Sequence, residues 1–163
     1  MNMITRPILL TSLLLLCLAF KAQTVSHIYR IGDLLKRINQ PDTSYVVNFW
    51  ATWCKPCILE LPAFDSLYAA TKNSKVKVIL VSLDFKEELE SKVNPFLQKN
   101  NIKAECVLLD EVNGNDFVNK VSTSWSGAIP ATLFKNKTSV QLIEKKLKLA
   151  ELKLYLSELS REH

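Results

Sequence analysis

The segment 53–57, Trp-Cys-Lys-Pro-Cys, holds two thiols three positions apart, a spacing that lets a cysteine pair cycle between dithiol and disulfide. It follows the apolar run 45–49, which predicts a buried strand, and precedes helical periodicity over 58–70. The cysteines are therefore expected to open a helix, where unpaired N–H groups and the positive dipole end favour an anion. Because a thiolate attacks in disulfide exchange, we expect Cys54 to be an exposed nucleophile and Cys57 to be more buried.

Two other uses of a cysteine pair compete with redox exchange: half of a zinc site and a structural disulfide. Zinc would need two more ligands, and the remaining candidates are Cys17, Cys106, His27 and His163, none in a paired spacing. Cys106 lies in a short apolar run, where a lone cysteine is ordinarily a small hydrophobic residue rather than a regulatory thiol. We expect a redox pair with no metal and no cofactor beyond its own disulfide.

Glu60 follows Cys57 by three residues, so on a helix the second thiol and the carboxyl group lie near the same face. Two interpretations stay open: a base that handles the proton of Cys57, and a solvated helix residue. Lys55 adds a positive charge that favours a thiolate at Cys54. Pro56 suits the first turn of a helix, where no N–H partner is lost.

Strands and helices alternate along the rest of the chain, which is the pattern of one α/β domain. The predicted helices are at 31–38, 58–70, 89–97, 117–121 and 149–159, and the predicted strands at 45–49, 78–81, 106–109, 131–134 and 139–143. A chain of 163 residues suffices for one sizeable core. With only three glycines it has no Gly-rich phosphate loop, and its formal net charge of +5 is spread over solvated faces, so nothing indicates nucleic acid binding.

Residues 1–22 have the pattern of a secretory signal peptide. Arg6 precedes the apolar run 8–20, which is short for a membrane span and typical of a signal peptide. Cleavage after Ala22 would leave a domain of residues 23–163. An uncleaved N-terminal anchor and lipid attachment at Cys17 are alternatives, the latter disfavoured by the bulky leucine before it. We expect an exported, periplasmic protein whose membrane contact, if any, is through this segment.

The stretch 48–62, together with Ile-Pro-Ala-Thr at 129–132, resembles the thioredoxin superfamily, and its extracytoplasmic TlpA/ResA-like branch in particular. The resemblance covers nearly the whole chain beyond the signal segment. It implies a thioredoxin-like α/β fold: a central mixed β-sheet flanked by helices, with an extra helix and strand inserted over 86–109.

The resemblance also implies roles for individual residues. It implies that Glu60 accepts the proton of Cys57. Ordinary thioredoxins use an aspartate on the preceding strand for this role, but that position is Asn48 here, and its amide cannot take a proton. It implies a cis bond before Pro130, which would lie beside the cysteine pair. The backbone of Ile129 would then pair with a substrate peptide.

Two tryptophans are further candidates for this surface. Trp53 is expected to flank the reactive thiol as an apolar platform. Trp125 is expected either to line the same groove or to pack in the core.

The Lys-Pro dipeptide between the cysteines resembles that of thioredoxins and TlpA/ResA-like reductants more than the Pro-His of strong oxidants. We therefore expect a monomeric reductase of disulfides in exported proteins, with apocytochrome c as one candidate substrate. An exported reductant needs recharging, which implies a membrane electron donor. The alternatives are a disulfide oxidase or isomerase on the same fold, and a non-enzymatic module whose cysteines hold copper or brace a peptide groove.

Overall fold

The computed structural model describes residues 23–111 and 113–161, so the predicted signal peptide lies outside the described residues. The strands are β1 (His27–Tyr29), β2 (Ser44–Trp50), β3 (Val76–Ser82), β4 (Glu105–Leu109), β5 (Ala131–Lys135) and β6 (Val140–Ile143). The helices are α1 (Ile31–Arg37), α2 (Lys55–Thr71), α3 (Asn94–Lys99), α4 (Gly114–Val121) and α5 (Leu149–Arg161).

Within the described residues the six strands form one mixed sheet in the order β1-β4-β3-β2-β5-β6. The first four strands in this order pair in parallel, whereas β5 pairs antiparallel with both β2 and β6. β3 is central, and Val78–Val81 are at most 2% exposed. Its continuous apolar run follows from burial on both faces of the sheet.

Helices cover both faces of the sheet and create two cores. On one face α2, α3 and α5 pack against alternate strand residues, including Val46, Trp50, Val78, Leu80, Cys106 and Phe134. On the other face α1 and α4 pack against the intervening residues, including Val47, Phe49, Ile79, Val81 and Leu133. This division follows from the two-residue period of a strand, which sends successive side chains to opposite faces.

The strand ends determine where the cysteine pair lies. β2 and β3 are parallel and end side by side, with Trp50 opposite Ser82. β5 runs the other way and begins beside the end of β2, with Ala131 opposite Phe49. The segments after β2 and β3 and the segment before β5 therefore meet at one edge of the sheet.

The predicted alternation of helices and strands is confirmed, with the insertion over 86–109 present as a helical segment followed by β4. The helical segment is less regular than predicted: a 3₁₀ turn (Lys86–Glu88) and a π-helical stretch (Leu89–Val93) precede α3. Pro95 opens α3 and cannot donate a backbone hydrogen bond, which favours a change of helical register there. β1 was not predicted, because three residues are too few to show a strand period.

Candidate active site

Cys54 and Cys57 form a disulfide at the start of α2, with an S–S distance of 1.99 Å. Cys54 is the N-cap residue, and its Sγ accepts a hydrogen bond from the Cys57 N–H at 3.3 Å. Pro56 lies in the first turn, where a missing N–H costs no helical hydrogen bond. The cysteines therefore open the helix, as predicted, at the end whose dipole favours an anion.

The two sulfurs differ less in exposure than the sequence suggested. Cys54 is 6% exposed and Cys57 is fully buried. The prediction of an exposed Cys54 is thus wrong in degree, because the side chain packs into the core beneath α2 and leaves only an edge in solvent. Its neighbours Trp53 and Lys55 are exposed, Trp53 by 65%.

Glu60 is buried, with an exposed fraction of 2%, so the interpretation as a solvated helix residue is wrong. Its Oε1 accepts a hydrogen bond from Asn48 Nδ2 and its Oε2 accepts one from Leu147 N–H, both at 2.7 Å. Burial raises the pKa of Glu60 from 4.5 to about 7, while these two hydrogen bonds and the charge of Lys146 oppose the rise. A group with this pKa can both take up and release a proton near neutral pH.

Asn48 links Glu60 to the sheet. Its Nδ2 also contacts Thr132 Oγ1 at 3.2 Å, across the paired strands β2 and β5. Its Oδ1 is buried and has no hydrogen-bond partner among the described residues. The amide thus presents its donor side to the carboxyl group, which stabilises the ionised form of Glu60.

Ile129 and Pro130, which were predicted to lie beside the cysteine pair, belong to the loop before β5. The peptide bond between Ile129 and Pro130 is cis, Pro130 is buried and Ile129 is partly buried. Since β5 begins beside the end of β2, this loop and the cysteine pair share one edge of the sheet.

Trp125 supports this loop from inside the protein. It is 4% exposed and packs on Phe49 and Phe117, with ring centroids 4.6 and 5.7 Å away. Its Nε1–H donates to Ala128 O at 2.9 Å. The core interpretation of Trp125 therefore holds, and the prediction that it lines a groove is corrected: the large ring fills the space beneath the loop.

A second contact fixes the same loop from β6. Glu144 accepts hydrogen bonds from the N–H of Ser126, at 3.0 Å, and from its hydroxyl group. These bonds hold the pKa of Glu144 below its usual value. The loop over 125–129 is thus held both by the core and by the neighbouring hairpin.

Sequence reasoning missed Asp84. This residue is 2% exposed, lies two residues after the end of β3 and accepts hydrogen bonds from Thr52, two residues before Cys54. The available signal was a carboxylate placed just after a buried parallel strand, since such a position meets the edge where β2 ends. Cys106 is fully buried in β4, where burial raises the pKa of its thiol, in keeping with a small hydrophobic role.

Among the described side chains, no group of three or more His, Cys, Asp or Glu residues is arranged to hold a metal ion. Over 23–111 and 113–161, no helix is both long and apolar enough to span a membrane.

Comparison with known proteins gives two curated relatives with thiol-disulfide chemistry in their names. Thiol-disulfide oxidoreductase ResA of Oceanobacillus iheyensis is 41% identical over 76 residues, covering 36% of this chain and 40% of that protein. Sporulation thiol-disulfide oxidoreductase A of Bacillus subtilis is 34% identical over 82 residues, covering 46% of this chain and 50% of that protein. The matches thus span half or less of the length of these relatives.

The fold has a solved counterpart in a thioredoxin-related protein from Neisseria meningitidis serogroup B. The two structures align with a TM-score of 0.65 and 22% identity over 75% of this chain and 87% of the other. The predicted thioredoxin-like fold is therefore confirmed. Residues 21–140 also match the AhpC/TSA family model, and this match along most of its length shows that the chain belongs to the AhpC/TSA family of thioredoxin-like proteins.

Proposed function

We propose that this protein is a thiol-disulfide oxidoreductase that reduces disulfide bonds in other proteins. The observation that carries the proposal is the Cys54–Cys57 disulfide at the N-terminus of α2 with the buried Glu60 three residues further along the same helix. A structural disulfide would not need a neighbouring buried carboxyl group that titrates near neutral pH.

The reaction transfers two electrons from the dithiol to a substrate disulfide. The Cys54 thiolate attacks one substrate sulfur, so a mixed disulfide forms, the substrate S–S bond breaks and the released thiolate takes a proton. Cys57 then loses its proton and attacks Cys54 Sγ. The mixed disulfide breaks, the second substrate thiol leaves and the Cys54–Cys57 bond is restored.

Glu60 is the proposed base for the second step. Cys57 is fully buried, which disfavours a free thiolate and makes a nearby proton acceptor necessary. With its pKa near 7, Glu60 can accept that proton and pass it on. Asn48 donates a hydrogen bond to Glu60 Oε1, which favours the ionised, proton-accepting form of the carboxyl group.

The substrate would lie between the segment that carries the cysteine pair, after β2, and the loop before β5. Trp53 offers an exposed apolar surface beside Cys54, and the backbone of Ile129, before the cis bond, offers hydrogen bonds to an extended peptide. Lys55 adds a positive charge on the exposed side of the pair. These groups support a polypeptide rather than a small-molecule substrate.

The reducing direction is supported by the Lys-Pro dipeptide between the cysteines. The apolar run within residues 1–22 supports export, and thus recharging of the pair by a membrane electron donor. Exported proteins with unwanted disulfides are the proposed substrates. Apocytochrome c, whose haem-binding thiols must be reduced, belongs to this class.

The decisive test is the equilibrium reduction potential of the Cys54–Cys57 pair in glutathione or dithiothreitol buffers. We expect a value near that of thioredoxin, about −270 mV. A value near about −120 mV would replace the reductase with an oxidase, because its disulfide would then be readily donated.

The proposed mixed-disulfide mechanism is tested with two cysteine variants. Cys57→Ser should accumulate a mixed disulfide with a disulfide-bonded protein substrate, since the resolving thiol is gone. Cys54→Ser, the matched variant, should accumulate none. Trapping by Cys54→Ser and none by Cys57→Ser, analysed by non-reducing electrophoresis, would exclude Cys54 as the nucleophile.

A further inference from the structure

Asp84 is a buried carboxylate bound to the segment that carries the cysteine pair. Its two oxygens lie 3.1 and 3.0 Å from Thr52 N, and Oδ1 also accepts from the Thr52 hydroxyl group. Its Oδ2 accepts from Ser82 Oγ at 2.7 Å, while Ser82 Oγ in turn accepts from Asp84 N–H. The Thr52 N–H can only donate, so it needs an acceptor, and the side-chain oxygens of Asp84 supply it.

The link between Asp84 and Cys54 is short and rigid. Leu83 N–H donates to Trp50 O at 2.8 Å, which extends the pairing of β3 with β2 beyond the strand ends. Cys54 N–H donates to Ala51 O at 3.1 Å, which closes the turn before the cysteine pair. Consecutive Cα atoms are about 3.8 Å apart, which places Cys54 Cα at most about 7.6 Å from Thr52 Cα. The Asp84 carboxylate therefore lies within about 15 Å of the Cys54 sulfur.

None of the donors to Asp84 identified above is a cation. With only 2% of the residue exposed, its negative charge is poorly screened by solvent. Two unit charges about 10 to 15 Å apart, at an effective dielectric constant of about 20, alter an equilibrium by roughly tenfold. The charge is thus close enough to act on a thiolate at Cys54.

We propose that Asp84, through its hydrogen bonds to Thr52, holds a negative charge beside the cysteine pair and makes that pair a stronger reductant. The charge opposes a thiolate at Cys54, which destabilises the dithiol form but not the uncharged disulfide. Electrons therefore leave the pair more readily. Asp84 is a positioning residue that touches no reacting atom, and its assignment rests on the redox function proposed above.

The test compares Asp84→Asn with the wild-type protein in glutathione buffers at pH 7. The amide keeps an acceptor for the Thr52 N–H and removes the charge. The equilibrium constant for reduction of the pair should rise about tenfold, which is about 30 mV for a two-electron couple. In the reduced protein, rapid reaction of Cys54 with iodoacetamide should also begin at a lower pH than in the wild type, because the thiolate forms more readily.

Two control variants separate the charge from simple loosening of the structure. Asp65 likewise accepts hydrogen bonds from backbone N–H groups, those of Lys103 and Ala104, but in the middle of α2. Asp65→Asn should leave the equilibrium constant unchanged. Thr52→Ala, which removes one hydrogen bond and keeps the charge, should also leave it unchanged.

The other charged groups around the cysteine pair, Lys55, Glu60, Glu144 and Lys146, are the same in all these proteins. If Asp84→Asn fails to fold, Asp84→Ser removes the same charge and still offers an acceptor to Thr52. A neutral variant whose equilibrium constant and pH dependence of alkylation match the wild type would overturn the proposal. A wild-type reduction potential near that of an oxidant would reject the proposed reductase function but not the role of Asp84. The difference in potential between Asp84→Asn and the wild type would still measure the effect of the Asp84 charge.

Discussion

Glu60 illustrates how a single position can acquire chemistry from its surroundings. The residue lies in the second turn of α2, facing the sheet rather than the solvent, and two neutral donors hold its carboxyl group. Removal from water disfavours the charged form more than these donors favour it, and the pKa rises to about 7. An ordinary helix glutamate would be fully ionised at neutral pH and a poor proton carrier there.

The first prediction concerns Glu60→Gln. In the wild-type protein the resolving step should accelerate from about pH 6 to about pH 8, because Glu60 accepts a proton only when ionised. In Glu60→Gln this rise should be absent and the rate at pH 8 at least about tenfold lower. The measurement is stopped-flow decay of a preformed mixed disulfide against pH. Glu158→Gln, a change at an exposed carboxylate of α5, is the control, and a shared pH profile for all three proteins would remove Glu60 from the mechanism.

The loop between α4 and β5 shows how the surrounding elements position the backbone that is proposed to bind substrate. Trp125 anchors the loop to the core that faces α1 and α4, and Glu144 anchors it to β6. The loop thus has supports from two directions. This arrangement favours a preformed backbone surface at Ile129, which lowers the entropic cost of binding an extended peptide.

The second prediction concerns Trp125→Phe, which keeps an aromatic ring and removes the hydrogen bond to Ala128. Stability should fall by about 1 kcal/mol, and KM for a protein substrate should rise several-fold with kcat nearly unchanged. The reduction potential should not move, because the cysteine pair is untouched. Phe117→Leu, which loosens the same aromatic cluster without the loop hydrogen bond, should leave KM near the wild-type value. An unchanged KM in Trp125→Phe would mean that the loop needs no anchor.

At the scale of the whole molecule, the proposed function requires the fold to persist with the disulfide either closed or open. The disulfide closes a ring of only four residues, whereas the two cores on either side of the sheet extend through every strand from β2 to β5. The cores therefore hold the site in place when the disulfide is opened. The disulfide adds stability to a framework that does not depend on it.

The third prediction is that the oxidised protein is the more stable form. A four-residue loop predicts a difference of about 2 kcal/mol from chain entropy, and a reducing pair should show at least this much. The measurement is urea unfolding of the oxidised protein and of the protein kept reduced by dithiothreitol. A reduced form that is more stable than the oxidised form would indicate an oxidant, as in DsbA, whose reduced state is stabilised.

Much of the candidate site was predictable from local patterns. The positions of Cys54 and Pro56 follow from capping and first-turn preferences, which act within a few residues. β3 is equally local, because a short uninterrupted apolar run at 78–81 can be satisfied only by burial on both faces. β1 was missed because its three residues gain their structure from pairing with β4 rather than from their own sequence.

The sequence by itself determined the closely spaced cysteine pair, its place at a helix start and the alternation of elements that builds the sheet. Only the tertiary structure decided that Glu60 is buried, that Trp125 supports the loop and that Asp84 lies beside Thr52. These facts depend on contacts between residues far apart in the chain, such as Glu60 with Leu147 and Asp84 with Thr52. Side-chain periodicity fixes which face of an element is apolar, but the partner that meets a polar group on that face is set by how the elements pack.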